Sequence, residues 1–211
     1  MTPQFAKSVD PIFLFGVDLI HRCTSGAPVS PDQEHHRTRA IFEQAEDELG
    51  AEKEWELAKY ALVSWIDEML VDTPWSGQDW WGNNVLEVHY FNTRLCNEQF
   101  FLRAREASTL SKKNAQEVFY DCVVLGFRGL YREQHLAAQL APANDLPPTL
   151  DEWAKRTAMS IRLGQGRPPL SKPSREISGA PPLSSNRPAF IVWIMAALLL
   201  IANIVFYSTQ F

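Results

Sequence analysis

The sequence lacks the motifs on which most enzymes and metal sites depend. Its three cysteines, Cys23, Cys96 and Cys122, are widely spaced and form no CxxC or Cys/His pattern, so they indicate neither a metal site nor a disulfide framework. The adjacent His35 and His36 point to different helix faces, which is wrong for paired metal ligands. Neither GxSxG nor HExxH occurs, and the run GQGRPP lacks the Lys-Ser/Thr end of a phosphate-binding loop. We therefore predict no catalytic residues, no metal and no cofactor.

Positive charge is scarce in residues 1–163, which carry 16 Lys and Arg against 24 Asp and Glu. Nucleic-acid-binding proteins need basic surface to displace counterions, so this balance predicts that no nucleic acid is bound. The charge reverses after residue 163, where four basic residues accompany one acid. Because an acidic domain is repelled by anionic lipid, the basic stretch is the part expected to touch headgroups.

Alternating Val, Ile and Thr, the pattern of half-buried strands, is absent, and apolar residues recur with helical spacing instead. This pattern predicts one all-α domain over residues 1–163. Ser30, Ser111 and Thr149 are the expected helix caps, and Glu152 completes a capping box with Thr149. The predicted helices cover residues 10–23, 31–49, 52–71, 85–107, 111–126 and 149–163.

Residues 164–188 hold six prolines, three glycines and five serines. Such a composition cannot bury enough apolar surface to fold, so it predicts an extended linker. Residues 189–207 then run without a charge, and as a helix they would extend about 28 Å, close to the hydrocarbon thickness of a bilayer. We predict a single transmembrane anchor there, followed by a short tail over residues 208–211.

The basic residues around the predicted span set its orientation. Arg167, Lys172, Arg175 and Arg187 all precede the span, and such residues favour the cytoplasmic side. The N-terminal domain is therefore expected in the cytoplasm, without a cleavable signal, and the tail on the far side. A buried core helix is the alternative, but it should carry a polar stripe. Asn203, the one strongly polar residue of the span, is a candidate for a hydrogen bond to another transmembrane helix.

The adjacent acids Asp67 and Glu68 lie in the most apolar stretch of the domain, residues 60–71. Neighbouring helical residues point about 100° apart, so these two carboxylates do not face each other as a catalytic pair would. Acids with apolar neighbours lose hydration and need a partner. Two interpretations stay open: they cap a neighbouring helix or pair with an arginine such as Arg128, or they lie at the rim of a groove that meets a basic partner.

The loop over residues 73–82 concentrates three of the seven tryptophans beside Pro and Gly. Clustered tryptophan in a loop is typical of an interface hot spot, and equally of a plug that closes the end of a helical core. The sequence favours neither. Gly126 and Gly129, which are costly inside a helix, indicate a helix end or a close helix contact.

Three segments are similar in sequence and order to a known family. They are ALVSWIDEMLVDTPWSGQDWW at 61–81, FNTRLCNEQFF at 91–101 and LGFRGLYRE at 125–133. They resemble the TssL proteins of bacterial type VI secretion, which are related to the DotU/IcmH proteins of type IVB secretion. Relatives often read FHGE and GGE-x-FF in the second segment, where this chain reads FNT and CNEQFF.

The resemblance implies a tail-anchored subunit of the cell inner membrane, with a cytoplasmic N-terminal domain and a periplasmic C-terminus. It implies a hook-like domain of two small packed helical bundles, which assembles with the large inner-membrane subunit TssM and the lipoprotein TssJ and recruits the baseplate component TssK. It leaves a homodimer open, and membrane lipid would surround residues 189–207. Asp67, Glu68 and, from the TPW motif, Trp75 are carried over as candidate partner-binding residues.

A membrane-tethered hydrolase is the alternative from another class of function. Its site would be assembled from distant residues, Asp67, Glu68 and His89 among them. An enzyme should still turn over substrate after loss of the anchor, whereas an assembly subunit should lose its function once untethered.

Overall fold

The computed structural model describes residues 1–164, 192–195, 198–199 and 201. These residues are mainly helical and include no strand, which confirms the predicted all-α class for the described part of the chain. The helices, with a short 3₁₀ helix between α7 and α8, are α1 (Pro3–Thr24), α2 (Pro31–Leu49), α3 (Lys53–Asp72), α4 (Gln78–Asn83), α5 (Leu86–Phe91), α6 (Cys96–Thr109), α7 (Asn114–Val124), the 3₁₀ helix (Gly129–Arg132), α8 (Gln134–Ala143) and α9 (Leu150–Gly164).

Helix α3 is the centre of the domain, and it contacts α1, α2, α4, α5, α6 and α7. One face of α3, with Ala58, Leu62 and Trp65, is fully buried. Most of the rest of its circumference is buried too, since Leu57, Tyr60 and Val63 are also at 0% exposure. A helix with apolar residues around most of its circumference lies in the core, and its neighbours surround it. Residues 1–168 form one compact unit. The division into two packed bundles stays a prediction.

Helix α1 begins seven residues earlier than the sequence predicts. Pro3 occupies its first turn, and Pro11, expected at the start, lies inside the helix. An interior proline costs about 3 kcal/mol, but burying one large apolar side chain returns about 1.5–3 kcal/mol. Phe5, Val9 and Ile12 are all buried along one face. Their burial outweighs the loss of one backbone hydrogen bond.

The predicted helix over 85–107 is wrong as a single element. The structure breaks it into α5 and α6, because Asn92 takes a left-handed conformation with φ 53° and ends α5. An asparagine tolerates this conformation better than most residues. Two further helices, α4 within the tryptophan-rich loop and α8, were not predicted, since both are short and lack a strong apolar period.

The predicted caps have different outcomes. Ser111 is not a cap, because α7 begins at Asn114. Ser30 takes the N-cap position of α2 but makes no capping hydrogen bond with its side chain. Thr149 does cap α9, since its Oγ1 accepts a hydrogen bond of 3.2 Å from the Glu152 backbone N–H.

Residues 169–211 form a second unit, of which few residues are described. Val192–Met195, 198, 199 and 201 are helical and exposed. Within the described part of the chain, no helix has the length and apolar character to span a bilayer. The linker over 164–188 beyond residue 164, most of the span predicted over 189–207, the tail and Asn203 lie outside the described residues.

Candidate functional site: a groove framed by buried carboxylates

The Asp67 carboxylate caps the start of α5. Its Oδ1 accepts hydrogen bonds of 2.9 Å from the backbone N–H of Leu86 and from Nε1 of Trp81, and its Oδ2 accepts one of 2.8 Å from the backbone N–H of Glu87. Asp67 is 3% exposed. Burial raises the pKa of Asp67 to about 7, and the three N–H donors oppose that shift because they favour the charged form. The capping interpretation of this residue therefore fits the geometry.

Glu68 caps the 3₁₀ helix in the same way. Its carboxylate accepts hydrogen bonds from the backbone N–H groups of Arg128 at 2.7 Å and Gly129 at 2.9 Å. The Arg132 guanidinium lies 2.9 Å from the same carboxylate and also pairs with Asp72. Burial raises the pKa of Glu68, and these donors counteract the shift. The predicted arginine contact thus exists, but through the backbone of Arg128 and the side chain of Arg132.

Gly129 is required at this cap. Its φ of 47° is left-handed, and a Cβ there would lie 2.8 Å from the Phe127 ring and 3.0 Å from the Asn97 carbonyl oxygen. Glycine is the residue that takes this conformation at least cost. The prediction of a close contact or helix end at this glycine is confirmed.

Glu87 is a third buried carboxylate, and sequence reasoning missed it. It is 2% exposed and accepts hydrogen bonds from Tyr60 Oη at 2.9 Å, Thr93 Oγ1 at 2.7 Å and the backbone N–H groups of Leu95 and Cys96 at 3.0 and 3.2 Å. Glu87 therefore holds the start of α6. Asp67 on α3 thus caps α5, and Glu87 on α5 in turn caps α6, so the two acids link the three helices.

Glu54 performs the equivalent task for α7, although in the sequence it is one of several closely spaced acids, with Glu52 and Glu56 beside it. It is 7% exposed, and its two oxygens lie 3.2 Å from the backbone N–H and the side-chain Nδ2 of Asn114. Capping groups supplied from 60 residues away leave no local pattern. Four carboxylates, three on α3 and one on α5, thus accept hydrogen bonds from the first backbone N–H groups of α5, α6, α7 and the 3₁₀ helix.

The elements placed by Asp67, Glu68 and Glu87 enclose a groove of about 250 Å³, which we call the α3 groove. The groove is half-open to solvent. Its walls come from the C-terminal end of α3, the α4–α5 turn and the start of α6, with Arg132 at one side. The lining residues are Asp67, Glu68, Val71, Asp72, Gly82, Val85, Glu87, Arg94, Cys96, Asn97 and Arg132. Asp67 and Glu68 are thus part of a groove, as the second interpretation required.

The chemistry of the α3 groove favours binding over catalysis. Each of its three buried carboxylates is occupied by several donors within the domain. The Cys96 thiol has its pKa raised by burial and by the nearby Glu87, so it is a poor nucleophile. Among the described residues no group of three His, Cys, Asp or Glu side chains is placed to hold a metal ion.

Trp75 closes the end of α3. Its Nε1 donates a hydrogen bond of 2.9 Å to the Leu70 carbonyl, one of the last carbonyls of that helix. Its ring packs near Trp81, with ring centroids 6.4 Å apart, and leaves no room for a Cβ at Gly77. The side chain is half-buried. Of the two readings of this loop, the plug describes the Trp75 geometry, and a direct partner contact stays a prediction.

His89 lies apart from the acids of the groove. Its ring contacts Tyr90, with centroids 4.8 Å apart, and His35, with centroids 6.2 Å apart, and it does not line the α3 groove. The hydrolase alternative needed Asp67, Glu68 and His89 around one substrate. Because the structure does not bring them together, that alternative is not supported.

His35 sits in an aromatic and cationic cluster between α2, α4 and α5. It contacts Trp80 and Trp81, and it faces His89 of α5 and Arg39 of its own helix. Burial, reinforced by the charges of these two basic residues and of the adjacent His36, lowers the pKa of His35, and burial and nearby Arg39 likewise lower that of His89. Glu43 acts on His89 in the opposite direction.

We expect acid to weaken this cluster. The unfolded chain binds a proton at this histidine near pH 6.5, whereas the folded chain binds one only at a lower pH. The free energy of unfolding is therefore unaffected above about pH 6.5, and it decreases as the pH falls from there through the folded-state pKa. His35→Phe keeps a ring against the tryptophans and removes the titration. The melting temperature of the wild type should therefore fall more between pH 7 and pH 5 than that of His35→Phe, as followed by circular dichroism. Equal falls would contradict the assignment.

Comparisons with known proteins identify one family and two similar structures. The sequence matches the model of the type VI secretion system protein DotU over residues 4–210. The structure is similar to the cytoplasmic domain of TssL from Acinetobacter baumannii, with a TM-score of 0.59 and 22% identity over 76% of this chain and 98% of that chain. It is also similar to SciP/TssL from enteroaggregative Escherichia coli 042, with a TM-score of 0.49 and 23% identity over 68% and 90%. A comparison with curated proteins gave no match.

Proposed function

The chain belongs to the DotU family of type VI secretion system proteins, and from this premise we propose that it is a structural adaptor of the secretion membrane complex. It anchors the cytoplasmic baseplate to the inner membrane through protein–protein contacts and performs no catalysis. The observation that carries the proposal is the family match over residues 4–210, since it includes the α3 groove, the proline-rich segment and the predicted span together. The Acinetobacter domain supports the helical fold alone.

The proposed arrangement places residues 1–163 in the cytoplasm, residues 189–207 in the inner membrane and residues 208–211 in the periplasm. The four basic residues before the uncharged run support this orientation. In the span, Asn203 would hydrogen-bond to a second transmembrane helix, either of TssM or of a second copy. A linker of 25 residues would leave the domain free to reach partners away from the bilayer.

The proposed partners are TssM and TssJ within the membrane complex and TssK in the baseplate. The α3 groove is the proposed meeting surface, with Asp67 and Glu68 in its walls and Trp75 at the end of α3 nearby. Because the Asp67 and Glu68 carboxylates already accept several hydrogen bonds within the domain, their proposed role is to hold the shape of this surface. The groove geometry thus supports a binding role, and the family supplies the type of partner.

Co-purification from the native cell tests this function. We expect the tagged full-length chain, gently solubilised, to recover TssM and TssK. A chain ending at residue 186 should lose TssM, because it lacks the proposed anchor. Asn203→Leu preserves an apolar span and serves as the matched variant for the polar contact. It should weaken recovery of TssM if Asn203 binds TssM, and recovery of a second, differently tagged copy if Asn203 binds that copy; in both cases TssK should be retained. If the full-length chain recovers none of these subunits, the proposed function is wrong.

A further inference from the structure

We propose that the α3 groove receives an acidic segment of a partner protein, which binds Arg94 on the rim and competes with Asp72 for Arg132, while the buried carboxylates only position the walls. This inference rests on the proposed function, because it names the chemistry of the partner at the same surface. It reverses the sign of partner charge that the acid pair suggests from the sequence.

The acids of the groove are turned inward. Asp67, Glu68 and Glu87 are 3%, 6% and 2% exposed, and each accepts two or more backbone N–H groups at a helix start. The positive end of a helix partly compensates a carboxylate placed there. A partner lysine would have to displace these donors, at a cost of about 1–3 kcal/mol for each buried group left unpaired. A basic partner therefore gains little from these acids.

The charges that solvent reaches are mainly positive. Arg94 is exposed, and its guanidinium donates only to the carbonyl oxygens of Gly82 at 2.9 Å and Asn83 at 3.2 Å. No carboxylate among the described residues pairs with it. These two contacts hold the planar group at the rim with its charge uncompensated. An immobilised guanidinium is a good receptor for a carboxylate, because it can donate two parallel hydrogen bonds.

Arg132 supplies the second cation. Its side chain is 42% exposed and contacts Glu68, which is buried, and Asp72, which is 36% exposed. Solvent reaches the pair with Asp72, whereas the Glu68 carboxylate is buried, so only the Asp72 carboxylate can be exchanged without opening the domain. An incoming carboxylate can replace Asp72 on Arg132 while Glu68 keeps its place on the 3₁₀ helix. The groove thus offers two guanidinium positions to an acidic segment.

Two peptide probes test the sign of the accessible charge. Fluorescein-labelled peptides of ten glutamates and of ten lysines are titrated with the purified full-length protein in detergent, and anisotropy is measured. We expect the glutamate peptide to bind and Arg94→Glu to weaken it at least tenfold. Arg94→Lys, which keeps the charge, should weaken it far less. Lys112→Glu, an equal charge reversal at an exposed position outside the groove, should have little effect, and circular dichroism checks that each variant is folded.

The outcomes separate this inference from the proposed function. The inference is overturned if the lysine peptide binds in preference, if neither peptide binds, or if Lys112→Glu weakens the glutamate peptide as much as Arg94→Glu does. If Arg94→Glu recovers as much TssK from native cells as the wild type does, the inference is also overturned. The adaptor function would then stand. If the wild-type chain recovers no secretion subunit, the adaptor function is overturned. The peptide titration would still show whether the α3 groove binds an acidic segment.

Discussion

Asp67→Ala is expected to lower the free energy of unfolding by about 3–5 kcal/mol, because it leaves three buried N–H donors without an acceptor. Those donors are the backbone N–H groups of Leu86 and Glu87 and the indole of Trp81. A loss of this size is a large fraction of the stability of an ordinary domain. Urea unfolding followed by circular dichroism measures it directly. We expect the start of α5 to loosen first, and with it one wall of the α3 groove.

Two control variants make the Asp67 result specific. Asp67→Asn keeps the volume and one acceptor oxygen, so it should restore part of the loss. Asp47→Ala removes an exposed carboxylate of α2 and should change stability by no more than about 0.5 kcal/mol. If Asp67→Ala were as stable as the wild type and yet failed to recover TssK, the carboxylate would act by direct contact, and the capping account would be wrong.

Phe100→Ala should destabilise the domain by about 3–5 kcal/mol, the usual cost of emptying a large aromatic site. Phe100 is fully buried and stacks on Phe127, with ring centroids 3.9 Å apart, while Phe119 and Phe101 contact it edge-on at 4.8 and 5.1 Å. It therefore joins α6 to α7 and to the segment before the 3₁₀ helix. The same urea experiment measures the effect.

A second pair of variants tests whether packing explains the Phe100 loss. Phe100→Leu refills most of the space and should cost clearly less than Phe100→Ala. Leu14→Ala truncates a side chain that is 72% exposed and should have a small effect. A Phe100→Ala protein as stable as Leu14→Ala would show that this aromatic cluster does not hold the helices together.

Much of the fold could be predicted because the helical spacing of apolar residues is visible in the local sequence. Helix α3 was predicted within one residue at each end, and the Thr149 cap of α9 was correct. The family was also predicted correctly from three short segments. The α5–α6 break was missed because it depends on one left-handed residue, Asn92, and on the distant acid Glu87 that holds the start of α6.

The site was only partly predictable. The sequence identifies Asp67 and Glu68 as candidates because acids inside an apolar stretch need a partner. In the structure, backbone N–H groups at the starts of α5 and the 3₁₀ helix are those partners. Glu54 was hidden in an acidic run, and Glu87 in an unremarkable amphipathic helix. Sequence reasoning finds such caps poorly, because the carboxylate and the backbone it holds meet only after folding. The exposed Arg94 of the groove is not found from the sequence for the same reason.

Site-specific cross-linking from the α3 groove tests the central claim most directly, namely that this groove is a partner-binding surface. A photo-reactive amino acid is placed at Asn97, an exposed lining residue whose carbonyl lies against the 3₁₀ helix, and at Lys112, an exposed position outside the groove. In native cells we predict a cross-link to a secretion subunit, TssK first, from position 97 and none from position 112. Cross-links from position 112 alone would contradict the account, because partners would then bind a different face.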